Sequence, residues 1–327
     1  MDRRTFIGAF ACGVLAAPRI AHAQRQANAF RIGLLGGSSP TSPEAAHVWG
    51  GFLQGMRDLG YVDGRNIVVE GRYYGDNIGR LPALAAELVG LQVDVIVAGS
   101  PPAPEAARRA TATIPIVMIN HNDPIGGGLA ANLARPAGNV TGISLATGAL
   151  RGKQLQLLKE VVPGLDTVAV LWNPTGPALE LQELEVAARS LNLQLQVVEA
   201  RNSSEFPAAF AAATKKRAGA LLAQGGSVYF ANKARLVELA AESRLPAIYG
   251  VKEYVEAGGL MAYGVDLGDS ARRAAGYVDR ILKGAKAGDL PIEEPTRFEL
   301  VINLKTAKAL GLAIAPSLLL RADKVIQ

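Results

Sequence analysis

Phe30-Arg31-Ile32-Gly33-Leu34-Leu35-Gly36-Gly37-Ser38-Ser39-Pro40 is an apolar run that stops on two glycines, two hydroxyls and a proline. A run of this length bounded by turn residues reads as a buried strand. The helical pattern over Glu44–Leu59 reads as its crossover. The unit recurs along the chain. Strands are expected at Phe30–Leu35, Ile67–Tyr73, Asp94–Ala98 and Ile116–Ile119, with helices near Glu44–Leu59, Leu81–Leu91, Pro104–Ala112 and Gly127–Ala134. Such alternation is the pattern of a parallel sheet with helical crossovers, so the fold class is α/β with Rossmann-like units.

After Pro136-Ala137-Gly138-Asn139, the run Val140–Ser144 is expected to lead into a second unit with the same rhythm. That unit holds helix Lys153–Val162, strand Thr167–Leu171, helix Ala178–Leu191, strand Gln194–Val198, helix Glu205–Ala213, strand Ala218–Leu222, helix Phe230–Ser243 and strand Ala247–Tyr249. Gly258 to Tyr263 reads as a return crossing, after which helix Ser270–Leu282 rejoins the first unit. Residues 28–142 with about 264–290 are thus expected to form one lobe and 143–263 the other. The closing segment 291–327, with a strand near Phe298–Ile302 and a helix near Leu304–Leu310, lies near the hinge with its lobe undecided. Two α/β lobes joined by several short extended segments form a hinged cleft, and the length of 327 residues suits two domains of about 150.

Ahead of the first strand, Arg3-Arg4 precede Thr5-Phe6-Ile7, an apolar run follows from Ile7 to Ala17, and Ala21-His22-Ala23 closes the segment. A basic start, a short apolar core and a small-x-small site mark a cleavable export signal over residues 1–23, with cleavage after Ala23 and a periplasmic address. The paired arginines resemble a twin-arginine signal, and general secretion is the other route. A membrane anchor is the competing reading, but Gly8, Gly13 and Pro18 interrupt a run well short of the about 20 apolar residues a spanning helix needs. The one cysteine, Cys12, falls inside this signal, which excludes thiol chemistry and disulfides from the remainder. The net charge of +5 includes Arg3, Arg4 and Arg19, and the densest basic cluster, Lys215-Lys216-Arg217, sits at a helix end where cations complement the dipole. Without a basic face interleaved with aromatics, nucleic acid is excluded as a partner.

Ligands of open α/β sheets gather at the carboxyl ends of the strands. The loops there are Gly36-Gly37-Ser38-Ser39-Pro40, Gly99-Ser100-Pro101-Pro102, Asn120-His121-Asn122-Asp123-Pro124, Trp172-Asn173-Pro174-Thr175-Gly176-Pro177 and Gln224-Gly225-Gly226-Ser227. Tyr249 opens one further loop, and Tyr263-Gly264-Val265-Asp266 lies at the return crossing. The candidate ligand-binding residues are therefore Ser38, Ser39, Ser100, Asn122, Asp123, Asn173, Thr175, Gln224, Tyr249, Tyr263 and Asp266. Asp123 and Asp266 also have ordinary roles as turn and N-cap residues. Lys252 is the single cation across these loops, which disfavours a phosphorylated ligand. Two carboxylates, amides, hydroxyls and aromatics suit a small polar molecule that carries an ammonium and an apolar or aromatic part. Asp123→Ala and Asp266→Ala are each expected to weaken its binding.

Catalytic motifs are sparse. There is no Gly-x-Ser-x-Gly elbow, no His-Glu-x-x-His and no Gly-Lys-Ser/Thr phosphate loop. Gly126-x-Gly128-x-x-Ala131 imitates a dinucleotide fingerprint but follows the fourth strand and lacks the acidic residue about twenty positions on. His47 and His121 are distant from each other, and no cysteine or third histidine completes a metal site beyond the signal. No cofactor or metal is expected.

Several stretches together carry a family resemblance. They include Gly60-Tyr61-Val62-Asp63-Gly64-Arg65-Asn66, Thr113-Ile114-Pro115-Ile116-Val117, Asp123-Pro124, Ala134-Arg135-Pro136-Ala137-Gly138-Asn139-Val140-Thr141-Gly142, Leu245-Pro246-Ala247-Ile248-Tyr249 and the closing string from Pro295 to Leu312. The chain resembles the ABC-transporter substrate-binding family whose studied members include tryptophan- and tyrosine-binding proteins. The resemblance implies a type I periplasmic-binding-protein fold and a monomer that closes on a small-molecule ligand, is not an enzyme, and delivers the ligand to an ABC permease in the inner membrane. It carries over Asp123, Asn173, Tyr263 and Asp266 as site positions. Asn122 stands where family members often have serine, and Gln224-Gly225-Gly226 departs from the usual apolar or acidic start of its loop. The other readings are a ligand sensor for a membrane receptor, and a periplasmic hydrolase or isomerase using Asp123, Asp266 and His121.

Overall fold

The computed structural model describes residues 29–41, 43–75, 77–145, 147–174, 178–295 and 297–327. The export signal expected over residues 1–23 and the candidate Thr175 lie outside them.

Strands β1 (Phe30–Gly36), β2 (Ile67–Tyr73), β3 (Val95–Ala98), β4 (Ile116–His121) and β5 (Val140–Ser144) form a parallel sheet in the order β2-β1-β3-β4-β5. β3, β4 and β5 are buried at every position, as strands covered on both faces must be. Successive side chains divide between two cores. Ile32, Leu34, Val95, Val97, Val117 and Ile119 enter one, and Leu35, Ile96, Ala98, Ile116 and Met118 enter the other. Helix α1 (Pro43–Asp58) covers the first core, while α2 (Leu81–Gly90) and α3 (Pro102–Ala110) cover the second.

The other lobe contains α4 (Thr147–Val161), β6 (Thr167–Trp172), α5 (Ala178–Ser190), β7 (Gln194–Glu199), α6 (Phe206–Lys215), β8 (Ala220–Ala223), α7 (Ser227–Ala231), α8 (Lys233–Glu242), β9 (Ala247–Tyr249), α9 (Glu253–Glu256) and β10 (Met261–Gly264). The chain then returns: α10 (Leu267–Leu282) lays Ala271, Ala274, Ala275, Tyr277 and Val278 against Trp49, Phe52 and Met56 of α1 in the first core. β11 (Glu299–Asn303), α11 (Leu304–Ala309), α12 (Pro316–Leu319) and β12 (Lys324–Ile326) complete the chain. The closing segment joins the second sheet, whose order is β12-β11-β10-β9-β8-β6-β7; its one antiparallel pair is β10 with β11. Two lobes with largely parallel sheets are the periplasmic-binding-protein architecture.

Two expected helices differ. Over Gly127–Ala134 the chain turns on itself instead of winding. The Asp123 carboxylate accepts from Gly126 N–H at 2.7 Å, Leu129 and Ala130 both donate to the Pro124 carbonyl, and Gly128 takes a φ of +69°. The stretch expected as one helix over Phe230–Ser243 breaks at Asn232, whose φ of −107° and ψ of +23° leave the helical region. Its side-chain amide donates back to the Val228 carbonyl at 2.8 Å, a local bond that competes with helix continuation.

Three segments pass between the lobes: after β5, between β10 and α10, and over 291–295 with 297–298. The first and third are tied by Ser144 N–H to the Glu293 carbonyl at 2.9 Å and Glu293 N–H to the Gly142 carbonyl at 3.0 Å. Among the described residues, no helix is long and apolar enough to cross a membrane.

Candidate functional site

A cavity of about 180 Å³ lies between the lobes, at the carboxyl ends of both sheets, and both lobes and the crossing segments line it. From the first lobe come Gly37, Ser38, Val48, Trp49, Ser100, Asn120 and Asn122; from the second come Leu150, Arg151, Gln224, Phe230, Val251 and Tyr254; Leu145 and Val265 close it at the hinge. A cavity of about 150 Å³ holds a benzene ring. This one therefore admits a single compact solute.

Trp49 forms the aromatic wall of the first lobe. Its indole N–H donates to the Ser38 carbonyl at 2.9 Å, and its ring meets Tyr73 edge-on at 6.1 Å between centroids. On the opposite wall Tyr254 stacks on Tyr249 with centroids 4.5 Å apart and planes 5° from parallel, while Phe230 meets it edge-on at 6.3 Å. Burial pushes the Tyr254 hydroxyl far above the ordinary tyrosine range despite the opposing pull of the Arg151 charge.

Arg151, in the first turns of α4, is 4% exposed. Its Nε and Nη2 donate to Glu180 Oε1 at 2.9 and 2.6 Å, and its Nη1 donates to Gln154 Oε1 at 2.9 Å. Gln154 in turn donates to the Tyr263 carbonyl at 2.7 Å, and Gln224 holds the Asn173 N–H at 2.7 Å. A buried ion pair is thus wired from the cavity wall to the strand that carries the hinge. Buried charges persist only when paired and hydrogen-bonded in this way.

Of the sequence candidates, Ser38, Ser100, Asn122 and Gln224 line the cavity. Ser39 pairs its hydroxyl with Thr41 at 2.7 Å beside the wall. Asp123 caps the Gly126 turn, Asn173 meets Gln224 through its backbone, Tyr249 is buried under Tyr254, and Tyr263 stacks on Phe298. Asp266 caps α10 by accepting from Gly268 and Asp269 N–H at 2.8 and 3.0 Å and pairs with Lys252. These five, like Ser39, are not among the lining residues. Lys252 is likewise spent, on Asp266 and on Glu299 at 3.3 Å. The cation at the cavity is Arg151, which a search confined to loops passes over because it lies in a helix. Trp49, Phe230 and Asn120 were missed for related reasons, although Asn120 ends a strand next to the candidate loop and its φ of +59° is a conformation asparagine tolerates.

The acid–base pair of His121 with Asp123 that the competing hydrolase reading requires does not form. His121 Nδ1 accepts the Asp123 backbone N–H at 3.2 Å, so Nε2 carries the proton and donates to Glu105 Oε1 at 2.7 Å. Both ring nitrogens serve to lock a loop.

Comparison with known proteins agrees with this architecture. The family model described as ABC transporter substrate binding protein matches residues 41–326. A tyrosine-binding protein of Clostridioides difficile is 28% identical over 264 residues, which span 80% of this chain and 76% of that protein. The crystal structure of an ABC domain from Streptococcus pneumoniae in complex with L-Trp superposes with a TM-score of 0.85 at 25% identity, covering 91% of this chain and 100% of that one. A conserved domain protein of Vibrio cholerae gives 0.84 at 27% identity, over 90% and 99%.

Proposed function

We propose, given that this chain belongs to the ABC transporter substrate-binding protein family, that it is an exported receptor whose lobes close on one amino acid-like solute and present it to an inner-membrane permease. The observation that carries this reading is the enclosed cavity walled by both lobes. A solute touching both walls contacts them together only when the lobes are closed, so binding shifts the open–closed equilibrium without any covalent step.

The solute carries a carboxylate and an apolar or aromatic body. Three of the five N–H donors of Arg151 are spent on Glu180 and Gln154, which leaves two for a carboxylate. Trp49, Phe230 and Tyr254 offer aromatic faces to the rest of the molecule. An aromatic amino acid, as bound by the pneumococcal structure and named for the clostridial relative, fits these requirements. Residues 1–23 supply the export signal.

Melting of purified residues 24–327 against the common amino acids tests this. L-tyrosine or L-tryptophan at a hundredfold excess over its Kd should add about 2.7 kcal/mol of stability. The reading fails if no amino acid raises the Tm, or if a bound solute emerges chemically changed.

A further inference from the structure

A carboxylate outside the cavity is left without a protein donor. Glu253, on α9 of the second lobe, has a side chain only 12% exposed, and neither carboxylate oxygen has a hydrogen-bond partner. Its nearest opposite group belongs to the other lobe: His47 Nε2 on α1, 3.5 Å from Glu253 Oε1, which is too long for a hydrogen bond. The same nitrogen lies 3.1 Å from Asp266 Oδ1 at the start of α10.

We propose that closing the lobes captures one proton in the His47–Glu253 contact, so that solute binding tightens as the pH falls. The inference rests on the reading that solute binding closes the lobes. When the lobes part, His47 moves away with the first lobe and water reaches Glu253, which then ionises as an ordinary carboxylate. When they close, the carboxylate loses its water and gains no donor. A proton on Glu253 cancels the stranded charge, since His47 Nε2 already accepts the Gly268 N–H at 3.2 Å.

The surrounding charges do not supply a substitute. Lys252, the neighbouring residue, is spent on Asp266 and on Glu299 of β11. Glu256, on the same helix, adds a like charge and is held at 2.9 Å by Lys324 of β12. Asp269 brings another negative charge to the first turn of α10. On α8, which packs against α9, Arg235 pairs with Glu238 and Glu242.

The sign follows from Glu253. Burial raises its carboxyl above the usual range in the closed form and outweighs the opposing pull of its own amide dipole, which is not in hydrogen-bond geometry with it, and of His47 and Lys252. The closed state therefore holds the proton at pH values where the open state has released it, and closure gains as the pH falls from the raised value to the ordinary one.

Calorimetry with L-tyrosine and L-tryptophan, in two buffers of different ionisation enthalpy, measures the linked proton. Small-angle scattering of the unliganded chain from about pH 8 to about pH 5 follows closure with no solute at all. Wild type should take up a proton on binding, with affinity rising by up to about tenfold per pH unit within the window. Its unliganded form should become more compact as the pH falls. Glu253→Gln, an isosteric neutral replacement, should bind as tightly at neutral pH as wild type does in acid and show neither dependence. Binding without proton uptake, or an unchanged pH slope in Glu253→Gln, overturns the proposal. If neither amino acid binds, the amino acid reading fails and scattering alone decides the proton: a radius independent of pH in wild type, or one equally dependent in Glu253→Gln, overturns it.

Discussion

Trp49 owes its place to glycines distant in sequence. A Cβ at Gly99 would stand 2.5 Å from the indole Cη2, and one at Gly36 would stand 2.8 Å from Cζ2. Both glycines stand where strands end on the cleft; what approaches them is an indole, which then forms the wall the ligand meets. Gly99→Ala must push that ring off its seat. Overpacking of this kind costs about 1–3 kcal/mol, so urea denaturation should show a loss of that size, and L-tyrosine affinity should drop at least about tenfold. Wild-type stability in this variant would mean the indole has room to spare. Arg151 is a different case, because truncating it strands Glu180. Arg151→Met should cost about 3–5 kcal/mol, whereas Arg151→Met with Glu180→Leu should recover most of the loss, since a buried pair replaced by apolar groups is often neutral. The double variant should fold yet bind L-tyrosine poorly. Unimpaired binding by the double variant would remove Arg151 from the carboxylate site.

At the scale of elements, the start of α10 is set by Asp266. Burial opposes its ionisation, but the Lys252 hydrogen bond, the Asp269 N–H, the Lys252 charge and the His47 contact outweigh it and hold the carboxyl well below the usual carboxylate range. A depressed value stabilises the folded form above the unfolded pKa and is lost as the pH falls toward the folded one. Asp266→Ala should therefore cost about 0.5–2 kcal/mol at neutral pH, the usual worth of a cap. Denaturation in acid should show that gap narrowing, and a gap constant with pH would deny the carboxylate this role.

Much at this scale was legible. β2, β5 and β9 fall on the expected bounds, and β9 shows why: its Ala247–Tyr249 is buried at every position, and buried parallel strands show as continuous apolar sequence. The failures share a cause, which is side-chain and backbone bonding that composition does not display: the Asp123 turn in place of a helix at Gly127–Ala134, and the Asn232 break. β12 escaped notice because its residues are half-exposed to exposed and pair only with β11. The site was legible at loop ends, where Ser38, Ser100, Asn122 and Gln224 do reach the cavity. It was hidden where helices supply the wall, since neither Trp49 nor Arg151 differs in local pattern from a core or surface helix residue.

For the whole molecule, the central question is where strain goes when a crossing segment is disturbed. Each of the four buried apolar clusters described draws on one lobe, the first lobe's including α10. The lobes are therefore separate cores joined by three strands of chain, and the softest coordinate is their relative placement. Gly264, the last residue of β10, passes the Gly250 carbonyl so closely that a Cβ would lie 1.6 Å from that oxygen. No rotamer change relieves a clash with backbone. Gly264→Ala must displace the crossing at Val265, and the cheapest response is to swing the lobes apart with their cores unharmed. Scattering should give this variant a larger radius than wild type, calorimetry should show weaker L-tyrosine binding, and urea denaturation should show less loss of stability than Gly99→Ala. A variant with wild-type radius and affinity would mean that the crossing yields locally and does not control the angle between the lobes.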